Sequence, residues 1–485
     1  MVKNFLKKQE DINAKALRFI DFLNHVEIKL EDEIFSCNTF LHFQKFSADN
    51  YDRYLRVADK NRLQIYLYFL FFPFFIIFRV FLIIFRNYKL PDIDLHLNRS
   101  NLIEDLFIGH ITNVKSSNGT NPFYGSFLEN KQKDYPQKSE IFYLDDYEFE
   151  PKESNLTVIN SRLGLIELLK HLSKQMKNII KILTLFKEIR NLDFDLLLLF
   201  KVIEHQFSYN TFKSIIISEK IKEFCESRIV NSLHLTFEGH GYESYTTKLI
   251  ENLSTKIFLH IHYPITKGHI GVINFLNKEF SHVTISSCGR ASEQFITSKL
   301  NHKSAIIAAG SNRYQSTQIK SLNLSRKTNL LILPEGTIQQ TTYFITLAYS
   351  LSNNLKDLGI IFRFHPNFRP SCLKPGTLKK LNHPNITVSN KSLNHDAQIS
   401  IFSLFVGSSA AIESMFYGVY PIHVSQFKHD RNISNPLALI DEKKYIGIFD
   451  EEVVDKISYL KNTVPKTNIF CELQKDAELI FSKIS

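Results

Sequence analysis

From about residue 101 onward, short apolar runs alternate with stretches whose apolar residues recur at helical spacing, the pattern of parallel strands layered between helices. The expected strands of a first series are Leu106 to Ile111, Ile141 to Leu144, Ser214 to Ser218, Leu233 to Phe237, Lys256 to Ile261 and Val283 to Ser286, with one long basic helix from Leu163 to Arg190. The lysines of that helix (170, 174, 177, 181 and 187) read as a solvated face. A polar linker, Ser316 to Lys327, precedes a second series: Leu330 to Leu333, Gly359 to Phe364, Ile386 to Ser389, Ile399 to Val406, Val419 to Val424 and a last helix near Cys471 to Lys483. A chain of 485 residues is too long for one core. The expectation is therefore α/β, with two doubly wound Rossmann-like domains at 101–325 and 326–485 facing a cleft at the carboxyl ends of their strands.

Residues 1–100 break the pattern and are expected to be a helical extension. Within it, Leu63 to Phe85 is apolar except for Gln64, Pro73 and Arg79, about the length that crosses a bilayer. Pro73 near the middle, Arg79 near the far end and basic residues on both flanks fit a hairpin bent at Pro73 and lying in one leaflet better than a single span. A membrane surface is thus an expected partner through 63–85. The formal charge of +10 favours anionic partners, but it is dispersed and no nucleic-acid module is present, so no nucleic-acid partner is expected. The N-terminus shows no apolar cleavable leader, and five scattered cysteines without a Cys-x-x-Cys pair suit a reducing compartment.

Four motifs fall at strand ends. Phe237-Glu238-Gly239-His240-Gly241-Tyr242-Glu243 places Glu238 on a glycine turn, where a carboxylate serves either as a general base or as a loop cap. Leu333-Pro334-Glu335-Gly336-Thr337 opens a helix whose first N–H groups suit a phosphate. In Arg363-Phe364-His365-Pro366, alternation sets Arg363 and His365 on one face and proline stops the strand. Gly407-Ser408-Ser409-Ala410-Ala411-Ile412-Glu413 offers two hydroxyls and a helix start to an anion, with Glu413 one turn on for a ribose diol. His260 and His262 share a strand face but lack a third ligand, and Asp92-Ile93-Asp94 and Asp193-Phe194-Asp195 follow no good strand, so no metal is expected. No Walker loop, Gly-x-Gly-x-x-Gly or His-Glu-x-x-His occurs.

The order acidic-Gly, His-Pro, Ser-Ser resembles that of bacterial sialyltransferases, polysialyltransferases and capsule Kdo transferases, GT-B glycosyltransferases that use CMP-activated sugars. A closer resemblance is to surface carbohydrate biosynthesis proteins, through Phe237 to Glu243, Gly289-Arg290-Ala291 and Gly310-Ser311-Asn312-Arg313-Tyr314, with Tyr242 where a tryptophan is usual. The resemblance implies a metal-independent, nucleotide-sugar-dependent transferase with no bound cofactor and a CMP-sugar donor of sialic-acid or Kdo type. Its acceptor would be a glycan or glycolipid such as lipopolysaccharide, O-antigen or capsule, at the cytoplasmic face of the inner membrane. It makes Glu238 the base, with Glu335 its rival. His365, Arg363, Gly336, Thr337, Ser408, Ser409 and Glu413 fall on the donor side, and Glu243, His240, His262 and Arg313 on the acceptor side. A CDP-glycerol or CDP-ribitol polyol-phosphate transferase and a non-catalytic membrane-bound glycan-assembly protein are the alternatives.

Overall fold

The computed structural model describes residues 62–89, 101–110, 139–144, 157–158, 163–184, 207–310 (less 239, 267–268, 270–271, 273–281 and 300–303) and 328–481 (less 367, 426–430, 433 and 464–467). Expectations for residues 1–61, both Asp-x-Asp triplets, Arg313, Tyr314 and the linker 316–327 fall outside the described residues.

The chain runs through α1 (Arg62–Lys89), β1 (Leu102–His110), β2 (Ser139–Leu144), β3 (Thr157–Val158), α2 (Leu165–Thr184), α3 (Tyr209–Ser227), β4 (Ile229–Thr236) and α4 (Gly241–Leu249). Then follow β5 (Lys256–Ile261), β6 (Val283–Ser287), α5 (Arg290–Lys299) and β7 (Ala305–Ala308). The second series is β8 (Asn329–Leu333), α6 (Ile338–Asn354), β9 (Gly359–Phe362), α7 (Pro375–Leu378), β10 (Ile386–Val388), α8 (Leu393–Gln398), β11 (Ser400–Phe405), α9 (Ser409–Met415), β12 (Tyr420–His423), α10 (Val453–Thr463) and α11 (Asn468–Phe481).

Strands β1 to β7 form one parallel sheet in the order β3-β2-β1-β4-β5-β6-β7, and β8 to β12 a second in the order β10-β9-β8-β11-β12. Both orders reverse direction once, between β1 and β4 and between β8 and β11, as a doubly wound sheet does, and the two-sheet α/β class of the GT-B type holds. Leu233, Leu235, Ile257 and Leu259 fill the first core, and Leu330, Ile332, Phe362 and Leu404 the second. Both sheets are buried on two faces, which is why their strands read as continuous apolar runs.

Two expectations need correction. Ser214 to Ser218 is not a strand but the middle of α3. Ser208 caps that helix by accepting from Thr211 N–H at 3.1 Å, and Ile215, Ile216 and Ile217 are all buried, so burial around the helix overrides their β preference. The hairpin at Pro73 is absent: α1 runs 28 residues straight through it, roughly 42 Å at the usual rise. Losing one hydrogen bond at a proline does not end a helix with so many other apolar helical residues. The basic stretch Leu163 to Arg190 is helical from Leu165 to Thr184, with 185–190 outside the described residues; Lys170, Lys174 and Lys177 are exposed, as a solvated face requires, and Leu165, Ile166, Leu169, Met176 and Ile180 are exposed beside them.

The C-terminal helix returns to the first sheet. The Cys288 Sγ lies 3.3 Å from the Ile480 carbonyl, and a Cβ on Gly289 would stand 2.1 Å from the same oxygen. Gly289-Arg290-Ala291 therefore marks the place where α11 meets the β6–α5 turn, and only glycine allows that approach.

Candidate functional site

In the first half, Glu238 follows β4 and His262 follows β5, so the parallel pairing of these strands brings the two side chains together at their carboxyl ends. His262 Nε2 is 3.0 Å from Glu238 Oε1, and His240 Nε2 is 3.5 Å from Oε2. Burial acts to raise the Glu238 carboxyl, but the hydrogen bonds and charges of His240 and His262 outweigh it and hold the group well below the usual carboxylate range. Glu238 is thus an ionised acceptor, partly open to solvent, flanked by two imidazoles.

Glu243 has a different place. It is fully buried at the third position of α4, and its carboxylate accepts from Glu238 N–H at 3.0 and 3.1 Å, from His240 N–H at 2.6 Å and from the Tyr242 hydroxyl at 3.4 Å. This is a helix-capping carboxylate that shapes the Glu238 turn. The sequence put Glu243 on the acceptor side; the structure shows its carboxylate taken up inside the turn, where it positions Glu238.

His260 and His262 share a face, as expected, yet take different partners. His260 Nε2 is 2.9 Å from His234 Nδ1, and His234 Nε2 is 2.9 Å from Asp105 Oδ1. The His234 ring is stacked between Phe107 and Phe258 at 4.4 and 4.8 Å. Burial, then the neighbouring His234 and His262, keeps His260 well below the usual imidazole range and hence neutral. This chain across three strands was not foreseen; its one trace in the sequence was the acidic pair Glu104-Asp105 inside the strand Leu102 to His110. Among the described residues no cluster of three metal-ligating side chains is present.

In the second half, the ends of β8, β9 and β11 converge. Gly336 has a φ of +91°, and a Cβ there would lie 2.8 Å from the His365 ring. On the other side, a Cβ on Gly407 would lie 1.9 Å from Glu335 Oε1. The Glu335-Gly336 turn is therefore wedged between His365 and Gly407 at the switch point of the second sheet. Gln340 Nε2 donates to Glu335 Oε2 at 3.1 Å, which fixes the carboxylate. Thr337 caps α6 by accepting from Gln340 N–H at 3.2 Å, so its oxygen serves the helix.

Ser408 precedes α9, but its hydroxyl makes no capping bond, so simple N-capping does not account for it. Ser409 begins α9 and Glu413 lies within it, both half-buried. The helix has only seven residues, too short for much of a dipole, so any anion here would rest on hydroxyls and local N–H groups. Arg363 departs from its expected role: β9 ends before it, and its guanidinium donates to Asp396 Oδ2 at 3.0 Å and to the Lys391 carbonyl. The buried Asp396, which also accepts from Ser389 at 2.6 Å, draws the arginine into the β9–β10 corner.

No family model matches the chain, and no curated protein does. Among solved structures, a UDP-GlcNAc 2-epimerase from Neisseria meningitidis bound to UDP-GlcNAc is similar at 10% identity and a TM-score of 0.45, over 78% of this chain and 95% of that one. The Methanocaldococcus jannaschii UDP-GlcNAc 2-epimerase, in complex with UDP-GlcNAc and UDP, has 10% identity, a TM-score of 0.44 and coverage of 78% and 98%. Acinetobacter baumannii MurG has 9% identity, a TM-score of 0.38 and coverage of 77% and 94%. Scores at this level carry no function from those proteins to this chain.

Proposed function

We propose that the chain is a glycosyltransferase of GT-B type that moves a sugar from a nucleotide donor to a surface glycan or glycolipid at the cytoplasmic face of the inner membrane, with α1 in contact with the bilayer. The observation that carries this reading is the convergence of Glu335-Gly336, His365 and Gly407-Ser408 at the switch point of the second sheet, the place where a doubly wound sheet takes a nucleotide. Glu238, ionised and gripped by His262, supplies the other requirement, a proton acceptor at the end of the first sheet. The two sets are taken to face one cleft.

In the reaction, the acceptor hydroxyl gives its proton to the Glu238 carboxylate while its oxygen attacks the anomeric carbon. The bond from that carbon to the donor phosphate oxygen breaks. His365 and the Ser408 and Ser409 hydroxyls take up the charge that grows on the leaving nucleotide. Glu335 braces the donor loops and leaves the base role to Glu238. No step calls for a divalent ion.

The motif order favours a CMP-sugar, so the test compares CMP with CDP, UDP and GDP. The expected result is thermal stabilisation by one nucleotide, lost in both His365→Ala and Ser408→Ala, with turnover of the matching sugar donor. A CDP-only response with polyol-phosphate transfer would establish the polyol reading, and no response to any nucleotide would favour the non-catalytic one.

A further inference from the structure

Helix α2 has three faces. Leu168, Leu172, Gln175, Asn178 and Ile179 are buried against the first half. Beside them runs the exposed apolar stripe, with Ile166 71% and Leu165 66% open to solvent. The third face carries the exposed lysines 170, 174 and 177. A soluble surface helix needs only the first of these features and a polar remainder. An apolar stripe bordered by a lysine row is the pattern of a helix lying in a membrane interface, with alkyl groups below the headgroups and ammonium groups at the phosphates.

Helix α1 is coupled to it directly. Asn87, buried near the end of α1, donates through Nδ2 to the Leu163 carbonyl at 3.0 Å and accepts from Leu163 N–H at 2.9 Å, two residues before α2 begins. Helix α1 is itself long and apolar enough to cross a membrane by length and composition, and Leu70, Phe74, Phe78 and Phe81 on it are exposed, Phe74 by 69%. Two exposed apolar faces thus meet at one clamp, with Arg86 and Lys89 at the end of α1 adding charge of the same sign.

We propose that α1 and α2 form a single docking surface for an anionic lipid bilayer, with Leu165, Ile166 and Leu169 inserted beside α1 and Lys170, Lys174 and Lys177 against lipid phosphates. Charge selects this occupant: a second copy of the chain, seated on the same face, would bring like lysine rows together, whereas anionic headgroups complement them. The surface lies on the helix layer of the first half, since α2 packs on α3 and α4 through His171 and Glu219 (3.5 Å) and through Lys174 over the Tyr245 ring (5.9 Å). Helix α4 starts at the Glu238 turn, so docking here would bring membrane-linked acceptors to the same half of the molecule. The docking itself stands whether or not the glycosyl-transfer reading does.

Flotation of the full chain with phosphatidylcholine vesicles, with and without phosphatidylglycerol, tests it. The comparison is between wild type, Leu165→Ser/Ile166→Ser/Leu169→Ser, Lys170→Gln/Lys174→Gln/Lys177→Gln, and a control losing equal charge from exposed sites in the second half, Lys374→Gln/Lys379→Gln/Lys475→Gln. Wild type is expected to float with phosphatidylglycerol vesicles. At about 1 kcal/mol per lysine near an anionic surface, the α2 lysine triple should bind roughly a hundredfold more weakly while staying folded, with the control unaffected. The apolar triple should lose binding to both vesicle types; should it fail to fold, the lysine triple decides alone. Wild-type-like binding by the lysine triple, equal loss in the control, or a self-associating wild type that ignores vesicles and becomes monomeric in both α2 triples would overturn the proposal.

Discussion

His262 Nε2 stands 3.0 Å from Glu238 Oε1 at the ends of two neighbouring parallel strands, and the hydrogen bonds of His240 and His262 together keep this half-buried carboxylate ionised. The glutamate is fixed by geometry that does not depend on a ligand, so the base proposed above would be in position before an acceptor arrives.

Replacing Glu238 by Gln keeps the shape and removes the proposed proton acceptor. Turnover should fall by roughly 10²- to 10⁴-fold with little change in nucleotide-induced stabilisation. The pH dependence has a definite sign. The folded carboxyl is depressed, so its contribution to stability is present above the ordinary value of 4.5 and is lost as pH falls through the lower folded value. Urea titrations from pH 7 downward should show the wild-type advantage over Glu238→Gln shrinking below about pH 4.5.

Glu243→Ala should behave as a folding variant. It leaves the Glu238 and His240 N–H groups without their carboxylate in a buried turn, at a cost of about 3 kcal/mol. The measurement is the urea midpoint, with activity per folded molecule also reduced because the Glu238 turn loosens. A stable Glu243→Ala protein with only a raised acceptor KM would restore the acceptor-side role expected from the sequence.

At the proposed donor site, Gly407→Ala sets a methyl against Glu335, which Gln340 prevents from turning away, and Gly336→Ala adds a left-handed backbone strain against His365. Each should cost about 1–3 kcal/mol and weaken nucleotide binding by at least the same factor as His365→Ala, read by thermal shift with and without nucleotide.

Gly289→Ala meets backbone, which has less freedom to yield. The Ile480 carbonyl must move, and the expected loss is about 3 kcal/mol together with faster proteolysis of α11. An unchanged digestion pattern would mean that α11 can reseat without the glycine.

Much of the sheet framework was legible because strands buried on both faces read as bounded apolar runs; Lys256 to Ile261 coincides with β5. β7 was missed because Ala305–Ala308 is short, edge-lying and built partly of alanine. The capping role of Glu243 was present locally, three residues after His240, but a carboxylate beside a candidate base invites a catalytic reading. The Asp105–His234–His260 chain could not be read from spacing at all. It needs the register that pairs β1 with β4 and β4 with β5, which no local pattern states.

His423 gives a clean test of buried-imidazole linkage away from either candidate site. It is almost fully buried at the end of β12, its Nε2 3.2 Å from the Ser434 hydroxyl, and burial holds its pKa down to about 3 from 6.5, against a smaller opposing effect of the Val406 backbone. A histidine kept neutral in the folded state stabilises fully above the ordinary value, because below it the unfolded chain takes up a proton that the folded chain refuses. Between pH 6.5 and about 3, this one residue should therefore cost wild type stability as pH falls, at up to about 1.4 kcal/mol per pH unit. His423→Gln removes that titration while keeping a polar group near Ser434. The variant should be less stable than wild type at pH 7.5, and the gap should narrow steadily as pH falls below 6.5. Parallel stability curves for the two proteins across that range would show that His423 titrates in the folded protein as it does in water, and that its burial is not what suppresses its charge.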